Sequence, residues 1–248
     1  FVREYGHSAI AEGSQDHGPR ETYALYGAVP AEAYTGLTRP DALLDHGPLI
    51  DEVRGYLDWV KENKLWDEAT VVASVRAILD KHMGRPPETF VHGGQTYTPQ
   101  RFLAEVLRLD LDAYVDCIST MRQPFGPGAI YDVPDNWRRR ADYVNLPLDR
   151  FYGVIKAALK AGYTVSLGGD VSEPGLDGLE DAAIIPSWDI PSRFIDQQAR
   201  ELRIVNRTST DDHGVHAVGL LGVGDRDWFL IKDSNRSSRL GRFKGFYF

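Results

Sequence analysis

The stretch from Thr210 to Asn235, TDDHGVHAVGLLGVGDRDWFLIKDSN, sets a polar cluster of two Asp and two His at the head of an apolar run. GVHAVGLLGV and DWFLIKDS both read as strands, and the short turn GDRD between them makes the pair an antiparallel hairpin. His216, flanked by Val215, Ala217 and Val218, falls inside the first strand, where partial burial obliges an imidazole to find a hydrogen-bond partner. A satisfied structural histidine is the plain reading. Asp233 changes the weighing. It ends the run WFLIK and, if the turn closes the hairpin, faces the start of the His strand, so that a carboxylate and an imidazole meet across the pair. That is a base and its orienter: a catalytic imidazole needs a group that holds one ring nitrogen so that the other faces a nucleophile. Metal binding is the second chemistry open to the cluster, through Asp211, Asp212, His213 and His216. His213 and His216 are three apart in a strand pattern and point to opposite faces, which argues against a shared ion.

Upstream of this hairpin, Pro147 is placed to open an amphipathic helix through Leu148, Phe151, Ile155 and Leu159, closed by Gly162, and YTVSLG follows as a strand. The loop SLGGDVSEPG has the glycines of a phosphate cradle but neither its Lys nor the following helix, and reads as a turn. Nearer the start, helical periodicity runs from Asp51 to Trp66 through Val53, Tyr56, Leu57 and Val60, then through Val71, Val72, Val75, Ile78 and Leu79 until Gly84, Pro86 and Pro87 end it. VHGGQTY reads as a small hairpin, and Thr98 as the N-cap of a helix with Pro99 in its first position. Around PFGPGAIYDVPDNW the helical period is lost. The expectation is therefore an α+β chain with a mainly helical part over residues 1–130 and a sheet-containing part over 131–248.

Composition narrows the classes. The chain has 248 residues, 42% hydrophobic and 26% charged, the balance of a globular protein rather than a disordered, collagenous or disulfide-stapled one. No apolar run is long enough to span a membrane. The formal charge of -8 repels phosphate backbones, so nucleic acid is not an expected partner. Cys117 is the single cysteine, which excludes an internal disulfide and a thiolate zinc cage. It is the obvious nucleophile for the His216 and Asp233 pair, yet it follows LDAYVD in an extended, partly apolar stretch and lacks the helix N-terminus that activates a thiol, so an inert thiol is expected. No G-x-S-x-G elbow offers a serine instead.

With those residues in view, the string from Thr210 to Asn235 resembles the His and Asn end of papain-like cysteine peptidases, where an H-A-V strand is followed by an I-K-N-S-W strand. ETYALYGAVPAEAYTGL, ETFVHGGQTYTPQRF, YDVPDNW, LPLDRFYGVIKAALKAGYTVSLGGDVSEPG and IDQQARELRIVNRTSTDDHGVH resemble, in order, the bleomycin hydrolase and aminopeptidase C branch, and together cover nearly the whole chain. The resemblance implies a papain-like fold of a helical lobe and an antiparallel β-rich lobe, thiol-dependent hydrolysis of a peptide or protein substrate, and no cofactor; relatives in this branch form hexamers, which leaves a homo-oligomer open without selecting it. It puts His216, not His213, at the catalytic His and Asp233 at the orienting Asn, while Asn235 stands where a shielding Trp is usual. No segment matches the family's oxyanion Gln and nucleophilic Cys, which precede the part matching FVREYGHSAI; the expectation is an N-terminally truncated chain, inactive by itself. The Asp233 and Asn235 departures keep a second class open, a peptidase-fold binding or regulatory module without catalysis. Nothing here selects endopeptidase or aminopeptidase action, or a cellular location.

Overall fold

The computed structural model describes residues 1–8, 10, 13–39, 42, 44–133, 136, 138–172, 175–184 and 191–248. Two compact units emerge, one of residues 1–13 and 19–111, the other of 14–18 and 112–248. The units part at Leu111 rather than at residue 130, because the strands that precede 130 hydrogen-bond to one that follows it. Part of the sequence signal for that boundary, Pro134, Asp135 and Trp137, lies outside the described residues.

The first unit is built on apolar stripes. After α1 (Gly18–Tyr26), α2 (Gly47–Glu62) and α3 (Glu68–Met83) bury Leu49, Val53, Leu57, Val60 and Val71 in one cluster. α2 begins a turn earlier than its apolar pattern, because Pro48 sits in the first turn without needing its missing N–H. It ends at Glu62, short of Trp66, where Lys64 takes a left-handed φ of 53°. α3 is capped by the Asp67 carboxylate, which accepts from Thr70 N–H, and stops at Gly84 with φ 73°. β1 (Phe90–His92) and β2 (Gln95–Tyr97) form the expected hairpin; His92 pairs with Gln95 and both loop glycines, Gly93 and Gly94, have positive φ. Thr98 caps α4 (Pro99–Phe102) by accepting from Arg101 N–H. Phe102 packs with Phe90 and Ala28 as a second small core.

The second unit holds two sheets. β3 (Cys117–Ile118), β4 (Gly126–Ala129) and β5 (Tyr143–Asn145) lie in the order β3-β5-β4, and the β3–β5 pair is parallel, a departure from an all-antiparallel expectation. α5 (Leu148–Lys160) starts one residue after its proline: Pro147 is the N-cap, with ψ 148°, and Gln197 Oε1 accepts from Leu148 N–H. The helix lies against the main sheet, formed by β6 (Val165–Gly169), β9 (His213–Val223), β10 (Arg226–Lys232) and β11 (Phe246–Tyr247) in the order β11-β10-β9-β6, antiparallel throughout. Tyr152 meets Phe229 edge to face, and both Tyr152 and Lys156 of α5 bind the Asp227 carboxylate. β7 (Leu176–Asp177) and β8 (Ala182–Ala183) form a short hairpin, and α6 (Gln197–Val205) precedes β9 with Asp196 as N-cap. Among the described residues no helix is long and apolar enough to cross a membrane.

Two glycines in this unit give opposite expectations. A Cβ on Gly178 would overlap the Ser237 carbonyl, which is backbone and cannot swing aside, whereas a Cβ on Gly153, exposed within α5, meets nothing within 4 Å. Gly178→Ala should therefore cost about 2 kcal/mol or more, while Gly153→Ala should stabilise by about 0.5–1 kcal/mol. Paired urea melts read both, and a Gly178→Ala variant as stable as the parent would show that the two loops do not touch.

Candidate active site

The β9–β10 hairpin decides which imidazole Asp233 meets. From the turn, Val223 pairs with Arg226, and the register holds to Gly219 opposite Leu230. Continued unbroken, it would set His216 opposite Asp233, the pairing expected from sequence. The ladder instead shifts there: Ile231 faces Ala217, and Lys232 faces His216. Val218 is the extra residue of a β-bulge. By strand alternation Asp233, one residue past Lys232, shares a face with Ile231, Ala217, Val215 and His213, while His216 turns to the other face with Lys232 and Ser166. Asp233 and His213 are then diagonal neighbours, within reach of each other.

The side chains follow. His213 Nε2 lies 2.7 Å from Asp233 Oδ1. His216 is exposed, against the expectation of burial, and lies opposite Lys232 rather than Asp233. The expected contact of His216 with Asp233 is thus corrected to one of His213 with Asp233, and the physical reason is one inserted residue. Three interior glycines, Gly214, Gly219 and Gly222, are the available signal, since Gly inside a strand often marks a bulge. An added Cβ on Gly219 would crowd Leu230 at 3.3 Å.

The Asp233 side chain is wholly shielded from solvent and that of His213 is 22% exposed. Set against a carboxylate oxygen, Nε2 is the ring nitrogen placed to donate, and Nδ1 is the one turned away from Asp233. Asp233 Oδ1 also accepts from Asn235 N–H at 2.8 Å. Asn235 turns its own Oδ1 to Ser237 N–H, so it closes the turn rather than supplying an amide to the imidazole. Ser238 Oγ donates to the Asp233 and Asn235 carbonyls, and Asp233 N–H donates to Gly245 O, so the chain after β10 folds over the carboxylate. This loop and Tyr247, itself buried, lie about the carboxylate. Burial, and then the Asp233 charge, push the Tyr247 phenol up to about 12.

The remaining predicted residues disperse. Asp211 accepts from Gln15 Nε2, Asp212 accepts from Val171 N–H, and among the described residues no three His, Cys, Asp or Glu converge on a metal position. Cys117 sits half-buried in β3 opposite Val144, where burial and then Asp116 push its thiol up, away from the thiolate.

No protein-family model matches the chain, and no curated protein sequence matches it. Its likeness is structural. PepW from Lactobacillus rhamnosis HN001 is similar, with a TM-score of 0.66 at 19% identity, over 99% of this chain and 60% of PepW. The fold resembles that of PepW. This chain spans about three fifths of the length of that neighbour, and the shared architecture is the mixed α/β arrangement described above.

Tyr143, like Tyr247, is buried, and its phenol is pushed up to about 12 first by burial and then by Asp116. Both phenols stay protonated in the folded chain above their ordinary value of 10. Their contribution to stability is complete below that value and is lost as pH rises through about 12. Phenolate absorbance should therefore place Tyr143 and Tyr247 in a late-ionising group that also holds Tyr131 and Tyr152, whose phenols are likewise pushed up, and Tyr247→Phe should remove one tyrosine from that group. Ionisation of all tyrosines in the folded protein at their ordinary value would refute the burial of both.

Proposed function

We propose that this chain supplies the general base and its orienting group to a thiol-dependent peptide hydrolase of the papain-like class, in the aminopeptidase C and bleomycin hydrolase branch. The 2.7 Å contact between His213 Nε2 and the buried Asp233 carboxylate carries the reading. Likeness of fold to PepW and the strings that resemble the family support it. His213 Nδ1 takes the proton of a cysteine thiol, and the thiolate attacks the peptide carbonyl carbon. The C–N bond then breaks, the leaving amine takes that proton from the imidazolium, and an acyl thioester remains. Water, deprotonated by the same nitrogen, attacks the thioester and releases the acid, and the proton returns to the departing thiolate. Asp233 keeps the ring in one tautomer and stabilises the imidazolium between these transfers. The thiol of this scheme is not Cys117, whose surroundings favour the protonated form, so the scheme requires a thiol other than the one in this sequence.

A second reading, a peptidase-fold binding module, draws on the Asp at the orienting position and the Asn at the usual Trp position. One set of variants, assayed with whatever polypeptide supplies the thiol, separates the readings. His213→Ala should lower kcat/KM about a thousandfold or more, whereas His216→Ala and Cys117→Ala should stay within about threefold of the parent. Full activity without His213, or an equal loss without His216, overturns the assignment. No thiol-inhibitor-sensitive hydrolysis in that assay favours the binding module.

A further inference from the structure

His213 is held at its ring by Asp233, but its backbone lies at a glycine-rich end of the sheet. β6 ends at Gly168 and Gly169, which pair with Gly214 and His213. Three glycines at one strand end offer no side chains to pack and the largest backbone entropy to lose. The ladder should fray there, and a frayed strand would not hold an imidazole in place.

Two carboxylates cross this end in opposite directions. Asp170, which directly follows β6, accepts on Oδ2 from Thr210 N–H at 2.7 Å and from Thr210 Oγ at 3.4 Å. Its Oδ1 accepts from Ser172 N–H and Oγ at 2.8 and 2.7 Å. Asp212, which directly precedes His213, accepts on Oδ1 from Val171 N–H at 3.1 Å and donates its own N–H to Gly169 O at 3.0 Å. Each loop thus carries the carboxylate that caps the other. Burial works to raise Asp170, but its bonds to Ser172 and Thr210 outweigh that and hold the carboxyl below its ordinary value, so it is ionised at neutral pH. None of these groups belongs to the His213–Asp233 pair, and SLGGDVSEPG was legible from sequence only as a turn.

We propose that Asp170 and Asp212 are positioning residues for His213, a reciprocal clasp that replaces side-chain packing at the glycine end of β6 and β9 and fixes the backbone from which the imidazole projects. This rests on the reading of His213 as the base. The test uses the 248-residue chain with 15N-labelled histidine, and follows the His213 Nε2 proton and its exchange with water; His213→Gln and His216→Gln assign the signals. The parent should show a protected Nε2 proton that Asp233→Ala abolishes. Asp170→Ala and Asp212→Ala should each speed its exchange about tenfold or more, while amides in the middle of β10 keep their protection. Asp170→Asn keeps the shape but only one accepting oxygen, and should give a smaller loss. If both alanine variants match the parent, the proposal fails although the base reading survives. If an alanine variant does not fold, parent-like exchange in Asp170→Asn overturns it equally. A parent whose Nε2 proton ignores Asp233→Ala refutes the base reading itself.

Discussion

A carboxylate taken wholly out of water needs compensation, and in this chain the burial of Asp233 organises what surrounds it. Its Oδ1 gathers the His213 ring and the Asn235 N–H, its backbone N–H is tied to Gly245, and Ser238 locks its carbonyl. Its other oxygen has no hydrogen-bond partner among the described residues. Such a group is costly once its partner is gone, because an uncompensated charge is then left in a low-dielectric place. The contact therefore disciplines both sides: the imidazole has one orientation, and the chain after β10 has one way to close over it.

The two units achieve order by different means. In the first, burial falls mostly on aliphatic stripes such as Leu49, Val53, Leu57 and Val60. In the second, polar side chains take that place. Asn145 is fully buried and spends its amide on the carbonyls of Thr120, Gln123 and Pro124. Glu201 accepts from Thr120 Oγ and Met121 N–H, and Arg200 donates to Ser119 O. Hydrogen bonds are directional where apolar contact is not, so a unit assembled this way tolerates few alternative arrangements.

The contrast explains what could be read from sequence. Periodicity exposed α2 and α3, turn chemistry exposed the Gly93-Gly94 hairpin, and capping chemistry exposed Thr98, because each depends on residues close in the chain. The division at Leu111, the parallel pairing of β3 with β5 and the ties of Asn145 depend on partners far apart in sequence and left no local mark. His213 was missed for a subtler reason. Both histidines, Asp233 and the hairpin are legible in the sequence, but choosing between the imidazoles needs the register to within one residue, and a bulge changes register without changing composition.

The same bulge bears on how this strand tolerates change over generations. Side chains on a strand alternate, so a gain or loss of one residue at Val218 inverts which letters of the segment before it face inward. His213 and His216 differ in parity. Whichever parity prevails, one imidazole comes to the carboxylate's side and the other is shown to solvent. A length change that in most strands would strand a buried charge instead exchanges one histidine for the other. Among related chains, the letter that aligns and the ring that is paired need not be the same.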